Sequence, residues 1–249
     1  MSERKPGDSA ASIAPPPQRV RWSKAFRIIN TRYPPVDLFD RIAEPSDWEA
    51  LYEIEALTNP RLRHMRQQIV RIPKEEWVYG EGASWVMAPF IHVGPSRFSR
   101  GEYGVYYAAQ SQLTAIHETA YHYACFLLAT AEARGTELQM RVLVSERLEG
   151  RFPDLRGGHP ELHHPADYGA AQRFGEGLRR QGASGIVYDS VRHPGGHCIA
   201  ILRPKAIPLP VQGPHLRYHF DGQRVDRFIQ IGQENWKMLT PSADAYSTS

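Results

Sequence analysis

Four groups of polar residues have the types and settings that enzyme sites use. Arg97 lies in a Gly- and Pro-rich segment over 94–101, immediately before a predicted strand over 104–109. A guanidinium on such a loop suits bidentate contact with a phosphate or carboxylate, although a plain surface arginine would have the same neighbours. Glu118 lies in a predicted helix over 111–133, whose alanine, leucine and aromatic residues indicate burial on most sides. A buried carboxylate is either ion-paired or functional, because an unpaired buried charge is costly.

The other two groups lie in strands or between them. Tyr106 and Tyr107 are adjacent in the strand over 104–109, so their rings point to opposite faces of the sheet. One ring is therefore expected in the core and the other in a cleft. Residues 188–196 (YDSVRHPGG) form a polar, glycine-rich connection between two short β runs. Such a connection is either one wall of a site or a long turn.

Other chemistries fit the spacing less well. A zinc-protease helix needs two histidines four residues apart, whereas His117 and His122 are five apart and diverge around the helix. His197 and Cys198 are a poor nucleophile–base pair, because adjacent strand residues face opposite ways. The histidines at 159, 163, 164, 193 and 197 show no recognised metal spacing, and the sequence contains no GxGxxG or Walker loop.

Periodicity and turn residues place these groups in an α+β fold. The other predicted elements are a strand over 22–29, a helical hairpin over 47–71 that is broken at Pro60, an irregular segment with short strands over 77–93, a strand over 137–144, a helix over 165–180, short β runs over 185–188 and 198–202, and a hairpin over 218–229 that turns at Asp221-Gly222. Strands and helices mix without a regular βαβ alternation, which favours α+β over a doubly wound sheet.

Composition indicates one ordinary globular domain. Hydrophobic residues make up 41% and charged residues 23% of the 249, and the formal charge is only +3, so no direct nucleic-acid partner is expected. Two cysteines make no disulfide framework, which predicts a reducing, cytoplasmic setting. No apolar run approaches the roughly 18 to 20 residues that cross a bilayer, so no membrane association is expected. We predict flexible tails over 1–20 and 241–249 and a folded domain over 21–240.

Four blocks, taken in order, resemble the RES domain. They are Arg97-Phe98 with a glycine a few residues on, then 104–109 (GVYYAA), 114–119 (TAIHET) and 185–190 (GIVYDS). The arginine, glutamate and serine that name this family correspond here to Arg97, Glu118 and Ser190. The segment 25–28 (AFRI) matches the family's opening strand and carries Arg27. The resemblance covers about 22–208; the segment 47–71 and the chain past 208 go beyond the smallest members.

The resemblance implies a fold and an activity. The fold is a single compact domain, with an ADP-ribosyltransferase-like mixed-sheet core flanked by helices. The activity is that of a toxin from a bacterial type II toxin–antitoxin pair. Such a toxin cleaves the nicotinamide–ribose bond of NAD, its substrate, without a metal. It then transfers ADP-ribose to a protein side chain, phosphate or water.

The resemblance also implies roles and partners. Glu118 would place negative charge beside the ribose, Arg97 would hold the pyrophosphate, and Arg27 is a second anchor. Tyr107 would stack on the nicotinamide or the ribose edge, and Ser190 would bond the ribose or the carboxamide. A helical antitoxin with a DNA-binding domain is expected to block the site. The alternatives are a catalytically inactive nucleotide- or protein-binding module, an ADP-ribose-binding regulator, and an unrelated α+β domain in which these residues are structural.

Overall fold

The architecture is α+β, as the sequence predicts. A computed structural model describes residues 14–31, 39–40 and 72–240. The predicted hairpin over 47–71, the tail over 241–249 and most of the N-terminal tail lie outside these ranges. The elements are β1 (Gln18–Asn30), α1 (Ala83–Ile91), β2 (Tyr106–Ala109), α2 (Gln112–Ala129), β3 (Glu137–Phe152), α3 (Gly169–Arg180), β4 (Gly185–Asp189), β5 (His197–Ile201), β6 (Val211–Phe220), β7 (Val225–Gln230) and β8 (Lys237–Met238). Short 3-10 turns lie at Lys74–Glu76, Pro160–Leu162 and Pro204–Ala206.

One eight-stranded sheet organises the described residues, in the order β4-β5-β2-β1-β3-β6-β7-β8. All pairs of named strands are antiparallel, and a single parallel bridge joins Asp154 to Val187. The longest pairing runs along β1 and β3, from Gln18 opposite Phe152 to Asn30 opposite Met140. β1 therefore begins within the segment that the sequence assigns to the tail.

Helices cover both faces of this sheet, which explains why several strands are apolar on both sides. On one face, Ile28, Met140 and Ala200 pack in a cluster with residues of α2 and α3. On the other face, Tyr106 and Ile199 pack in a second cluster with residues of α1. No helix in the described ranges is long and apolar enough to cross a membrane.

The helix α2 forms where the sequence predicts it. Ser111 has extended backbone angles, and its hydroxyl oxygen accepts a hydrogen bond from the Thr114 N–H at 3.1 Å, which caps the first turn. The helix ends at Ala129, before the predicted end at 133, because Ala131 adopts a left-handed conformation with φ +53°. The buried residues of α2 include Ala115, Ala120 and Leu127, so one side of the helix faces the sheet.

The prediction of an irregular segment with short strands over 77–93 is wrong. Residues 83–91 form the helix α1, which is buried at six of its nine positions. The glycines lie before this helix, with Gly82 at its N-cap in the left-handed region (φ +87°). Pro89 lies inside the helix and removes the hydrogen bond to the Trp85 carbonyl. Burial of the apolar residues against the sheet outweighs the loss of that hydrogen bond. The sequence pattern did not predict this burial, because it depends on contacts with distant strands.

Other boundaries also move. The strand predicted over 137–144 continues to Phe152, and the one predicted over 218–220 begins at Val211. The helix predicted over 165–180 begins at Gly169, because residues 163–168 form an irregular segment beside the cavity described below. These extensions follow from pairing with β1 and β3, which are distant in sequence.

The close approach of α1 to the chain before β2 gives a test of this packing. A Cβ at Gly104 would lie 2.1 Å from the Pro89 carbonyl oxygen and 2.3 Å from the Phe90 Cα, and backbone atoms cannot move aside. We expect Gly104→Ala to lower the free energy of unfolding by about 2 kcal/mol or more. The matched control is Gly177→Ala in α3, where a Cβ meets nothing within 4 Å; it should be neutral or stabilise by up to about 1 kcal/mol. Urea unfolding of both variants provides the measurement, and equal effects would contradict the packing.

Candidate active site

A cavity of about 570 Å³ lies between the sheet, α2 and the loop before β2. This volume is in the range of small-molecule sites. Its walls include residues of β1 and β2, the segment 95–97, one face of α2 and the segment 166–168. Four of the five predicted site residues line it, namely Arg27, Arg97, Tyr107 and Glu118. The fifth, Ser190, contacts Glu118 directly.

The Glu118 carboxylate and the Ser190 hydroxyl form the central contact. Ser190 Oγ donates to Glu118 Oε1 at 2.6 Å and accepts from the backbone N–H groups of Arg192 and His193 at 3.2 and 3.0 Å. Ser190 is buried, and the start of the connection between β4 and β5 therefore has a fixed shape. The hydroxyl proton points at Oε1, which leaves Oε2 as the carboxylate oxygen available to other donors.

Arg97 is buried, and one nitrogen of its guanidinium is hydrogen-bonded to backbone carbonyls of the protein. Its Nη1 donates to the carbonyl oxygens of Leu162 and His164 at 3.2 and 2.9 Å. The guanidinium carbon lies 4.6 Å from the ring centroid of Tyr168. Arg97 thus ties the irregular segment before α3 to the cavity wall while lining the cavity itself.

Tyr107 and Arg27 lie on neighbouring strands. Tyr107 lines the cavity while Tyr106 is buried on the other face of the sheet, so the predicted division of the two rings is confirmed. The Tyr107 hydroxyl accepts from the Phe98 N–H at 3.1 Å and donates to Ser96 Oγ at 2.9 Å, and burial raises its pKa to about 12. Arg27 Nη1 donates to the Tyr107 carbonyl at 3.0 Å, and burial lowers the pKa of Arg27.

Cys198 and Tyr188, both buried, also line the cavity. The Cys198 sulfur is 3.9 Å from Glu118 Oε1. Burial, followed by the nearby Glu118 carboxylate, raises the pKa of Cys198 well above its ordinary value, so the thiol stays protonated. His197 faces away and bonds Asp189 instead, at 3.0 Å, so the two neighbours do not form a nucleophile–base pair. Within the described ranges, no group of three or more His, Cys, Asp and Glu residues could hold a metal ion.

Two imidazole rings brace the Ser190 connection against α2. His117 and His193 are stacked, with ring centroids 4.6 Å apart and an interplanar angle of 7°. His193 Nδ1 is also 2.9 Å from the Thr114 hydroxyl. Burial, and then the charge of His193, lower the pKa of His117.

Several cavity residues do not appear among the predicted site residues. Tyr121, His122 and Cys125 lie on α2 beyond Glu118, and Tyr168 lies just before α3. Tyr121 and Cys125 follow Glu118 by three and seven residues, a spacing that places all three on one helix face. The helical spacing from Glu118 could therefore have indicated Tyr121 and Cys125 from the sequence alone. The sequence contained no such signal for Tyr168, which reaches the cavity only through the folding of the segment before α3.

Comparison with known proteins identifies the family of this chain. The family model of the RES domain matches residues 68–221, more than half of the chain. The chain belongs to the RES domain family. Arg97, Glu118 and Ser190, which we predict to correspond to the arginine, glutamate and serine of the family name, lie inside the match. Arg27 and the rest of β1 precede it, and the match continues past residue 208 through β6.

Two similar proteins differ in how closely their sequences match this chain. The uncharacterized protein y4oC of Sinorhizobium fredii (strain NBRC 101917 / NGR234) is 31% identical to this RES chain, over 80% of this chain and 84% of that protein. A chain in the crystal structure of the M. tuberculosis MbcT–MbcA toxin–antitoxin complex is 15% identical, with a TM-score of 0.34. That match covers 47% of this RES chain and 70% of the M. tuberculosis chain.

The two thiols are expected to react very differently. Cys125 is exposed at the cavity, whereas Cys198 is buried with a raised pKa. N-ethylmaleimide should label one thiol of the native protein and two in urea, as counted by intact-protein mass spectrometry. Cys125→Ser should remove the native label. Labelling of Cys198 at a similar rate would contradict its burial in the cavity wall.

Acid should weaken the fold through His117. The unfolded chain binds a proton as pH falls through the ordinary histidine pKa of 6.5, whereas the folded chain resists it because this pKa is lowered. The free energy of unfolding should therefore fall as pH drops below about 6.5. Urea unfolding at pH 7.5 and 5.5 should show a smaller loss in His117→Gln than in the unmodified chain. An unchanged loss would mean that His117 does not contribute.

Proposed function

We propose that this RES chain is the toxin of a bacterial toxin–antitoxin pair. It breaks the nicotinamide–ribose bond of NAD and transfers the ADP-ribose to an acceptor. The observation that carries the proposal is the Glu118 carboxylate, fixed by Ser190 at 2.6 Å on the wall of a cavity that Arg97 and Tyr107 also line. Membership of the RES family supports the toxin assignment.

The bond that breaks determines what the site needs. The electron pair of the C–N bond leaves with nicotinamide, which departs as a neutral molecule and needs no general acid. Positive charge develops on the ribose, as in glycoside cleavage. A fixed carboxylate beside the ribose stabilises that charge, and Glu118 Oε2 accepts a hydrogen bond from a ribose hydroxyl. The nucleophilic atom of the acceptor then bonds to the anomeric carbon. Water or a neutral side chain releases its proton to the solvent in this step, whereas an ionised phosphate oxygen has no proton to release.

The remaining residues bind and orient the substrate. The N–H groups of Arg97 that do not bond Leu162 and His164 contact the pyrophosphate, and Arg27 is a second anchor. Tyr107 has a fixed ring, because Phe98 and Ser96 hold its hydroxyl, and it stacks on the nicotinamide or the ribose edge. Ser190 orients the carboxylate and bonds the ribose or carboxamide.

The acceptor and the partner belong to the same proposal. Water, phosphate or a protein side chain each provide a nucleophilic atom for the anomeric carbon. The partner is a helical antitoxin with a DNA-binding domain that fills the cavity. We place this chemistry in the cytoplasm.

Substitution of the carboxylate tests the proposal. Purified protein is incubated with NAD alone, with phosphate and with cell lysate, and the products are followed by mass spectrometry. We expect free nicotinamide together with ADP-ribose, its phosphate, or ADP-ribose on a lysate protein. Glu118→Gln should reduce nicotinamide release by about a hundredfold or more, because the fixed charge is lost. Glu132→Gln makes the same chemical change at an exposed position and should have no effect.

The same incubation with NAD distinguishes the proposed enzyme from the alternative function, a binding module without activity. A catalytically inactive nucleotide-binding module would bind NAD but release no nicotinamide in any of the three conditions. A fully active Glu118→Gln variant with normal urea unfolding would refute the role of the carboxylate. The hydrogen bond from Ser190, which a neutral amide oxygen also accepts, makes an intact fold the expected outcome for this variant.

A further inference from the structure

The backbone of the connection between β4 and β5 determines where the proton of the Ser190 hydroxyl goes. The N–H groups of Arg192 and His193 donate to Ser190 Oγ at 3.2 and 3.0 Å, and a hydroxyl oxygen has two lone pairs. Both lone pairs are therefore occupied, and the hydroxyl proton is directed to Glu118 Oε1 at 2.6 Å. The bond to the carboxylate thus depends on the two backbone N–H groups staying in place.

The side chain of His193 attaches this connection to α2. His193 Nδ1 lies 2.9 Å from the Thr114 hydroxyl oxygen, which Ser111 Oγ also contacts at 2.8 Å. The His193 ring stacks on that of His117, with centroids 4.6 Å apart. Thr114, which is buried, and His117 both belong to α2. The helix therefore contacts His193 twice, once through a hydroxyl and once through a ring.

Gly196 brings the far end of the connection against the same hydroxyl. A Cβ at this position would lie 2.6 Å from Thr114 Oγ1 and 2.8 Å from His193 Nδ1. The Gly196 N–H donates to the His193 carbonyl, and the Gly196 carbonyl accepts from the Ser190 N–H, both at 2.8 Å. The connection is therefore closed on itself and packs on Thr114 without room for a side chain.

The helix that carries the carboxylate also carries the group that contacts His193. Thr114 and Glu118 are four residues apart in α2, a spacing that places them on one face of the helix. The contacts therefore form a closed ring: Thr114 contacts His193, the His193 N–H bonds Ser190, and the Ser190 hydroxyl bonds Glu118.

We propose that Thr114 and His193 are positioning residues for the NAD-cleaving reaction, and that they act through Ser190 to fix the Glu118 carboxylate, an assignment that rests on the proposed function. Neither is among the described residues that line the cavity, so their effect on the reaction is indirect. The expected effect is therefore on the rate of the chemical step, and the affinity for the substrate should stay the same.

Nicotinamide release by purified variants tests this role. Thr114→Val removes the hydroxyl, and His193→Phe keeps a ring for stacking but removes the nitrogen. Each should lower kcat about tenfold or more, because a small displacement of the carboxylate weakens its action on the ribose, while KM for NAD changes less than about twofold. Thr114→Ser keeps the hydroxyl and should have a kcat close to that of the unmodified protein.

Thr130→Val is the matched control. It makes the same chemical change at the other end of α2, where the Thr130 hydroxyl bonds the Phe126 and Leu127 carbonyls, and it should leave kcat unchanged. Urea unfolding confirms that each variant is folded. A normal kcat in Thr114→Val, the same loss in Thr114→Ser, or a raised KM with a normal kcat would overturn the inference.

A double-mutant cycle isolates the contact between Thr114 and His193 from the contact between Thr114 and Ser111. The variant with both Thr114→Val and His193→Phe should have about the same kcat as the less active single variant, because both changes remove one contact. Losses that multiply in the double variant would show that the two side chains act separately and would overturn the inference.

Hydrogen exchange distinguishes the positioning of Ser190 from the proposed activity. The Arg192 and His193 N–H groups should exchange about fivefold faster in Thr114→Val than in Thr130→Val, as followed by mass spectrometry of peptides over 190–196. Faster exchange in a protein that leaves NAD intact would support the positioning of Ser190 and remove the proposed activity. Nicotinamide release with equal exchange and equal kcat in these two variants would retain the activity and remove the positioning role.

Discussion

The hydrogen bond from the Ser190 hydroxyl to the Glu118 carboxylate is the central contact between the two halves of the site. Glu118 belongs to a helix packed on one face of the sheet, and Ser190 begins the connection between the edge strand β4 and its neighbour β5. The bond at 2.6 Å, together with two backbone donors on the same hydroxyl, brings groups 72 residues apart into one arrangement. Glu118 is half-buried, and the hydrogen bond from Ser190 offsets part of the cost of removing its carboxylate from water, so the contact serves stability as well as chemistry.

Two buried arginines connect the site to the irregular segment before the third helix. Arg97 and Arg192 both bond carbonyl oxygens of the irregular segment before the third helix, and each also covers one face of a tyrosine ring. Each guanidinium has five donors, so an arginine that holds the fold retains N–H groups for a ligand. Arg97 can therefore hold the irregular segment in place and still offer N–H groups to the phosphate that the proposed function assigns to it.

The sequence predicted the α+β class, the capped helix of Glu118 and the division of Tyr106 and Tyr107 between two faces. These features depend on local periodicity, on a capping serine and on the alternation of a strand. The helix over 83–91 was missed because glycine and proline near it suggested irregular structure, whereas burial against the sheet decides its conformation. The full length of the third strand was missed because its outer half is paired with β1, which precedes it by more than a hundred residues.

The sequence by itself determined the family, and its short motifs, which occur in a fixed order, predicted that Arg97, Glu118 and Ser190 correspond to the three residues of the family name. Only the tertiary structure decided what surrounds them: the bond between Glu118 and Ser190, the carbonyls that Arg97 bonds, and the presence of Tyr121 and Tyr168 in the same cavity wall. The physical reason is that these contacts join segments that are distant along the chain. Their geometry depends on how a helix, a sheet edge and an irregular segment pack together. The local pattern of residues in the sequence does not determine that packing.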